Sequence, residues 1–341
     1  MRALTNDGRW AYDGATILVT GGTGSIGTEL TKALLRHRVK QVRIISNDEN
    51  GLFEARTIFG ADQRVIYKLG DVRDDKAVAA AMMGCEIVFH AAALKHVDFC
   101  EQNPDEAISV NITGTQNVIK HASKNGVEKF VFVSTDKAVN PLSTMGATKL
   151  LGEKLTLDAS RLTGGKTFCC VRFGNVLGTR GSVVRIFERQ IKEGNEVTVK
   201  DPEMTRFIML PSDASNLLLR AGGFASSGDT VVLRMKAVKV GDLANACIEF
   251  FAKLYNKDSS RVKVKRLVPN PEEKFFEELM TSTEAVRATQ NDEFFVIPYP
   301  SGRSEFANKS SVARNSRGYN SSSVELLRTG EIVSLLSRLY E

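Results

Sequence analysis

The chain has 341 residues, 42% of them hydrophobic and 25% charged. These ordinary globular proportions exclude a disordered chain and supply an ample apolar core. No apolar run reaches membrane-spanning length, and the N-terminus lacks the charged–apolar–small order of a secretory leader. A cytoplasmic protein with no membrane partner is therefore expected. The net charge of +6 is dispersed, without aromatic–basic interleaving. That argues against nucleic acid and suits a site that holds two diphosphates.

Five cysteines (Cys85, Cys100, Cys169, Cys170, Cys247) and four histidines (His37, His90, His96, His121) fit no metal-ligand spacing. Buried thiols and no metal are expected.

In chain order, strands are expected at residues 16–20, 41–46, 65–68, 87–90, 129–134 and 167–172. Helical periodicity occupies 29–36, 74–83, 105–124 and 144–163 between them. The alternation predicts an α/β fold, a Rossmann-type doubly wound parallel sheet with ligands beyond the carboxyl ends of its strands. After Arg172 the regularity breaks. Helices at 183–193, 213–222 and 239–254, with isolated strands at 230–235 and 262–267, predict a smaller C-terminal α/β substrate lobe. Residues 1–172 are assigned mainly to dinucleotide binding and 173–341 mainly to the substrate lobe, with the chain crossing between them. The stretch 301–323 is polar and serine-rich and reads partly as loop.

The loop Thr20-Gly21-Gly22-Thr23-Gly24-Ser25-Ile26-Gly27 leaves a predicted strand and opens a predicted helix. Gly21 permits the tight turn, Gly24 admits a pyrophosphate to the backbone, and Gly27 lets helix and strand pack closely. Unpaired amides at the helix start face the anion. The spacing resembles the short-chain dehydrogenase/reductase superfamily. After the second strand stand Ser46 and Asn47, with no carboxylate at the position that would repel a 2′-phosphate. No Arg or Lys adjoins Ser46, and Asp48 and Glu49 are close. NADP is favoured, with NAD as the alternative. The resemblance carries adenine contact onto Asp71, with Val72 beside it; capping of the next helix is the competing role. Ala91, Ala92 and Ala93 follow the fourth strand, and their small side chains admit the cofactor.

The segment Ser134-Thr135-Asp136-Lys137-Ala138, followed by Met145-Gly146-Ala147-Thr148-Lys149, leaves a strand and enters a helix. The superfamily carries Tyr-x-x-x-Lys here, on one helical face. Lys149 matches the lysine. Position 145 is Met, which carries no proton chemistry. Asp136 and Lys137 are adjacent ionisable groups at a strand's carboxyl end, where catalytic groups collect; a surface ion pair is the plainer reading.

Together with Arg172-Phe173-Gly174-Asn175-Val176-Leu177-Gly178-Thr179-Arg180-Gly181-Ser182, Asp201-Pro202-Glu203-Met204-Thr205-Arg206-Phe207 and His90-Ala91-Ala92-Ala93-Leu94-Lys95, these motifs resemble the UDP-N-acetylglucosamine 4,6-dehydratases. These are extended short-chain dehydrogenase/reductases of polysaccharide and glycan biosynthesis, and some carry Met in the Tyr position. The resemblance implies a UDP-sugar substrate, a homo-oligomer and a three-part reaction. Hydride leaves C4, the C5 proton and the C6 hydroxyl depart as water, and hydride returns to C6. It makes Asp136 the acid at the C6 oxygen and Lys137 the base at C5, which requires a neutral amine with a lowered pKa. Lys149 holds the nicotinamide ribose, Thr135 bonds the C4 oxygen, and Met145 packs. Lys95, Asn175, Arg180, Ser182 and Arg206 fall to the substrate, the last four near its diphosphate. Glu273, opening Glu273-Lys274-Phe275-Phe276-Glu277, falls to the uridine ribose, with a helix-surface charge as the alternative. The stretch Gly318-Tyr319-Asn320-Ser321, with Glu331-Ile332 after it, is similar to the C5-inverting group. A C5-retaining dehydratase, a 4-epimerase and a non-catalytic NADP-binding sensor are the rival readings.

Overall fold

The computed structural model describes residues 12–300, 311–312 and 318–341. The N-terminal segment 1–11 and most of the serine-rich stretch 301–323 lie outside the described residues.

Six strands open the fold: β1 (Thr16–Thr20), β2 (Gln41–Ser46), β3 (Val65–Leu69), β4 (Ile87–His90), β5 (Lys129–Val133) and β6 (Thr167–Arg172). They lie in the order 3-2-1-4-5-6, all parallel. β1, β4 and β5 are buried along their whole length, as a sheet covered on both faces requires. The order reverses at β1 and β4, which opens a crevice beyond their carboxyl ends.

Thr230–Leu233 corrects the expectation of an isolated strand in the smaller lobe. It pairs in parallel with β6, and Phe294–Ile297 extends the sheet antiparallel from it. Its four residues are all buried, and this demand for two apolar neighbours draws the strand into the large sheet. Among the described residues, four α-helices were not anticipated, two of them short (Val97–Gln102 and Ser282–Ala285). Glu49–Phe59 carries little apolar periodicity, and Asp48 caps it by accepting from the Gly51 amide at 2.9 Å. Thr329–Tyr340 buries Ile332 and Leu336 in a second core with Phe187, Ile191, Leu243 and Phe251. The expected helix 105–124 is continuous in space but passes through a π turn at Ser109–Thr113. There Asn111 bonds both the amide and the carbonyl of Leu94, at 2.7 and 3.0 Å. The helix thus pins the chain leaving β4.

Around the second core lie short sheets: Asn175–Val176 with Thr205–Met209 and Lys236–Lys239, and Glu196–Val199 with Lys263–Arg266. All five cysteines are buried and free. Among the described residues, no three His, Cys, Asp or Glu side chains are grouped to hold a metal. No helix among them is long and apolar enough to cross a membrane.

Candidate active site

A cavity of about 980 Å³ lies beyond the carboxyl ends of β1, β4, β5 and β6. Gly21, Ala91, Thr135 and Gly174, from the loops after those four strands, line it. The crevice predicted from strand order is therefore the cavity itself.

The glycine loop fits a dinucleotide pyrophosphate. A Cβ on Gly21 would stand 2.7 Å from the Ala92 backbone, and one on Gly27 would stand 2.5 Å from the Gly21 carbonyl. The loop is thus folded against β4 as only glycine allows. Gly24, Ser25, Ile26, Gly27 and Ala93 face the cavity, and the helix Ser25–Leu35 starts there without a side-chain cap. Its first amides stay available to an anion. Thr23, Ser46, Asn47, Asp71, Val72 and Ala92 do not line the cavity. Thr23 and Ser46 share a hydroxyl hydrogen bond of 2.8 Å. Asn47 donates to Asp71, whose carboxyl is held below its ordinary range by hydrogen bonds from Arg73.

On the cavity's other wall, the helix Thr144–Leu162 brings Met145 and Lys149 to one face, both nearly buried. Met145 packs with Cys100 and Ala107. Lys149 Nζ donates to the Val133 carbonyl at 2.6 Å and lies 4.3 Å from the Phe132 ring centroid. Burial pushes its amine down to about 8, against the opposing pull of Glu153.

After β5, Asp136 is completely buried. Its Oδ1 accepts from Thr135 Oγ1 at 2.8 Å and from Lys137 Nζ at 3.0 Å, while its Oδ2 has no partner. That free oxygen lies 3.1 Å from where a Cβ on Gly174 would stand. Lys137 faces the cavity and also donates to Asn175 Oδ1 at 3.2 Å. The expected lowering of the Lys137 pKa is corrected. Burial alone would lower it, but Asp136 and Glu277 outweigh burial and raise it above the usual lysine value. The resting amine is charged because two carboxylates crowd one ammonium.

The residues assigned to the substrate all line the cavity, but at separate places. Arg180 reaches the glycine loop: its guanidinium donates to the Thr23 carbonyl and lies 3.7 Å from Asp48, and its amide donates to Ser25 Oγ. A cation thus does stand near the end of β2, delivered from the far side of the chain. Lys95 donates to the Arg180 carbonyl, and burial and then Arg180 lower its pKa. Asn175 belongs to the Lys137 cluster. Arg206 lies 3.9 Å from Glu277 and donates to the Thr205 carbonyl. Ser182 starts the helix Val183–Glu193 with its buried hydroxyl unpartnered. Glu273 pairs with Lys200 at 2.9 Å on the cavity margin.

Sequence reasoning assigned no role to Glu277. It is 3% exposed, lines the cavity and lies 3.5 Å from Lys137. The only signal for it was its place as last residue of the motif opened by Glu273.

The comparisons agree with this geometry. A family model described as polysaccharide biosynthesis protein matches residues 17–299. The protein called uncharacterized membrane protein MJ1061, from Methanocaldococcus jannaschii, is 41% identical over 96% of this chain and 97% of that one. A UDP-glucose 4-epimerase of Rickettsia rickettsii is 38% identical over 83% of this chain and 82% of its own. The X-ray structure of Pen from Bacillus thuringiensis superposes with a TM-score of 0.90 at 38% identity, covering 96% of this chain and 98% of that one. With a Rossmann-type sheet, a glycine loop opening its first helix and a family match across most of its length, the chain belongs to the polysaccharide biosynthesis protein family.

Proposed function

We propose that the protein is a nucleotide-sugar-modifying enzyme, and that it dehydrates UDP-N-acetylglucosamine across C4 to C6 with inversion at C5. The observation that carries this reading is the Asp136–Lys137 pair at the end of β5, with Asp136 fully buried and one of its oxygens left unpartnered. Elimination of water needs an acid at one carbon and a base at its neighbour, and this pair supplies both.

A dinucleotide bound there, NADP in preference to NAD, would supply the hydride chemistry at C4 and C6. Ser25, Ile26 and Gly27 hold the pyrophosphate, and Lys149 holds the nicotinamide ribose. Thr135 hydrogen-bonds the C4 oxygen. Asp136 protonates the departing C6 oxygen, and Lys137 removes the C5 proton. Met145 only packs.

The name of the Rickettsia relative favours a second reading, 4-epimerisation. Epimerisation needs no acid–base pair at C5 and C6, and it leaves Asp136 and Lys137 without work. Incubation with UDP-N-acetylglucosamine and either dinucleotide separates the two. Loss of one water by mass spectrometry is the expected result; an unchanged mass with a second hexosamine present supports epimerisation instead. NMR of the product formed in deuterated water should show deuterium at C5 of an L-configured ring, and a D-configured ring rejects inversion.

A further inference from the structure

Asp136 and Lys137 do not stand alone. Glu277 approaches Lys137 from the C-terminal half, with Oε1 3.5 Å from Nζ and Oε2 buried without a partner. Its backbone is clamped from both sides: the Glu277 amide donates to Ser321 Oγ at 2.9 Å, and the Ser321 amide donates to the Glu277 carbonyl at 2.8 Å. Ser321 is fully buried and also shares a 2.7 Å hydroxyl bond with Thr205. The Gly318-Tyr319-Asn320-Ser321 stretch therefore holds a carboxylate rigidly against the cation of the pair.

The charged groups facing Lys137 are Asp136, Glu277, Arg206 and Lys274. Lys274 is tied to the Val139 carbonyl, and Arg206 sits farther from Glu277 than Lys137 does. Among the described residues, Lys137 is thus the nearest cation to Glu277.

We propose that Glu277 is a positioning residue for the dehydration: it keeps the Asp136–Lys137 pair carrying one proton and stabilises the ammonium formed when C5 is deprotonated. This rests on the dehydratase reading above. The proton steps of the elimination balance within the pair. At rest Asp136 is a carboxylate and Lys137 an ammonium. A proton moves from Nζ to Oδ1 along their 3.0 Å hydrogen bond, leaving a neutral acid and a neutral amine. The amine takes the C5 proton, and the C5–H electron pair forms the C5–C6 double bond. The C6–O bond breaks, and the oxygen leaves as water with the proton of Asp136. Lys137 is again an ammonium and Asp136 a carboxylate. Loss of the pair's single proton at alkaline pH stops this cycle, and the negative charge of Glu277 delays that loss.

The test uses the full-length protein and three forms: wild type, Glu277→Gln and Glu277→Asp. Competitive acetylation of Lys137, read by peptide mass spectrometry across pH, reports its titration without requiring turnover. The pH profile of kcat is measured in parallel on UDP-N-acetylglucosamine. In Glu277→Gln the Lys137 midpoint and the alkaline fall of kcat should both move to lower pH, with a mid-pH kcat loss of ~10-fold, a fraction of a full acid–base contribution. Glu277→Asp should restore both most of the way. A folded Glu277→Gln protein with an unmoved midpoint and limb overturns the proposal, whatever its kcat. Should Glu277→Gln fail to fold, Glu277→Asp decides: an intermediate midpoint supports the proposal and an unmoved one overturns it. A midpoint that moves in a protein that dehydrates no UDP-hexosamine supports the coupling and removes the dehydratase reading. Dehydration with an unmoved midpoint does the reverse.

Discussion

Two buried charge clusters stand on neighbouring strand ends and differ in how completely they are satisfied. At the end of β6, Arg172 makes paired bonds of 2.7 Å to both oxygens of Glu153 and of 3.0 Å to both oxygens of Glu284, and Ser134 adds a 2.6 Å bond to Glu153. After β5, Asp136 and Glu277 are as deeply placed and Lys137 is partly exposed, yet Asp136 Oδ2 and Glu277 Oε2 have no partner. A buried polar atom without a partner costs about 1–3 kcal/mol, and more when charged. The first cluster ties β6 to the segment around Leu279, while the second brings Lys137 and Glu277 to the cavity wall and leaves two buried carboxylate oxygens unpartnered behind them. The difference separates a structural network from a candidate catalytic one, though each sets one cation between two carboxylates.

The largest effects are expected at Asp136 and Lys137. Asp136→Asn and Lys137→Ala are each expected to cut turnover at least ~10³-fold while dinucleotide still binds, within the range of acid–base contributions. Product mass and cofactor fluorescence titration check this, and full activity in Lys137→Ala removes it as the C5 base. Arg172→Met should act in the opposite sense. It strands two carboxylates and should lower stability by about 3–5 kcal/mol, read from the urea midpoint. If Lys137→Ala destabilises as much, the two clusters are of one kind.

Lys149 sharpens the contrast through pH. Its amine falls to about 8 from an ordinary 10.5, so the folded state binds that proton less tightly than the unfolded chain. Stability should therefore rise between those values and be lost as pH falls through about 8. The shift corresponds to ~3 kcal/mol. Lys129 contributes a rise of the same sign, so the difference between wild type and Lys149→Met isolates Lys149. Urea titrations of cofactor-free protein at several pH values should show a shallower rise in the variant. The smallest effect is expected at Gly174, where a Cβ would stand 2.5 Å from Phe207 Cβ and 3.1 Å from the free oxygen of Asp136. Gly174→Ala should cost ~1–3 kcal/mol by overpacking, and should lower kcat more than the thermal midpoint. A thermal loss without a kcat loss places Gly174 with the structural network.

The chain's own order determined the first six strands, the glycine loop and the helical spacing of Met145 and Lys149. Each depends on residues close in sequence: apolar runs, turns only glycine permits, and side chains four positions apart on one helical face. It also carried the Asp136–Lys137 pair, because the two are adjacent. Only the tertiary structure decided that Lys137 rests charged, since Glu277 reaches it from the other half of the chain. Likewise it placed Arg180 on the glycine loop and Thr230–Leu233 in the large sheet. Charge state and strand partnership depend on neighbours brought together by folding, and a linear reading holds no distance between them.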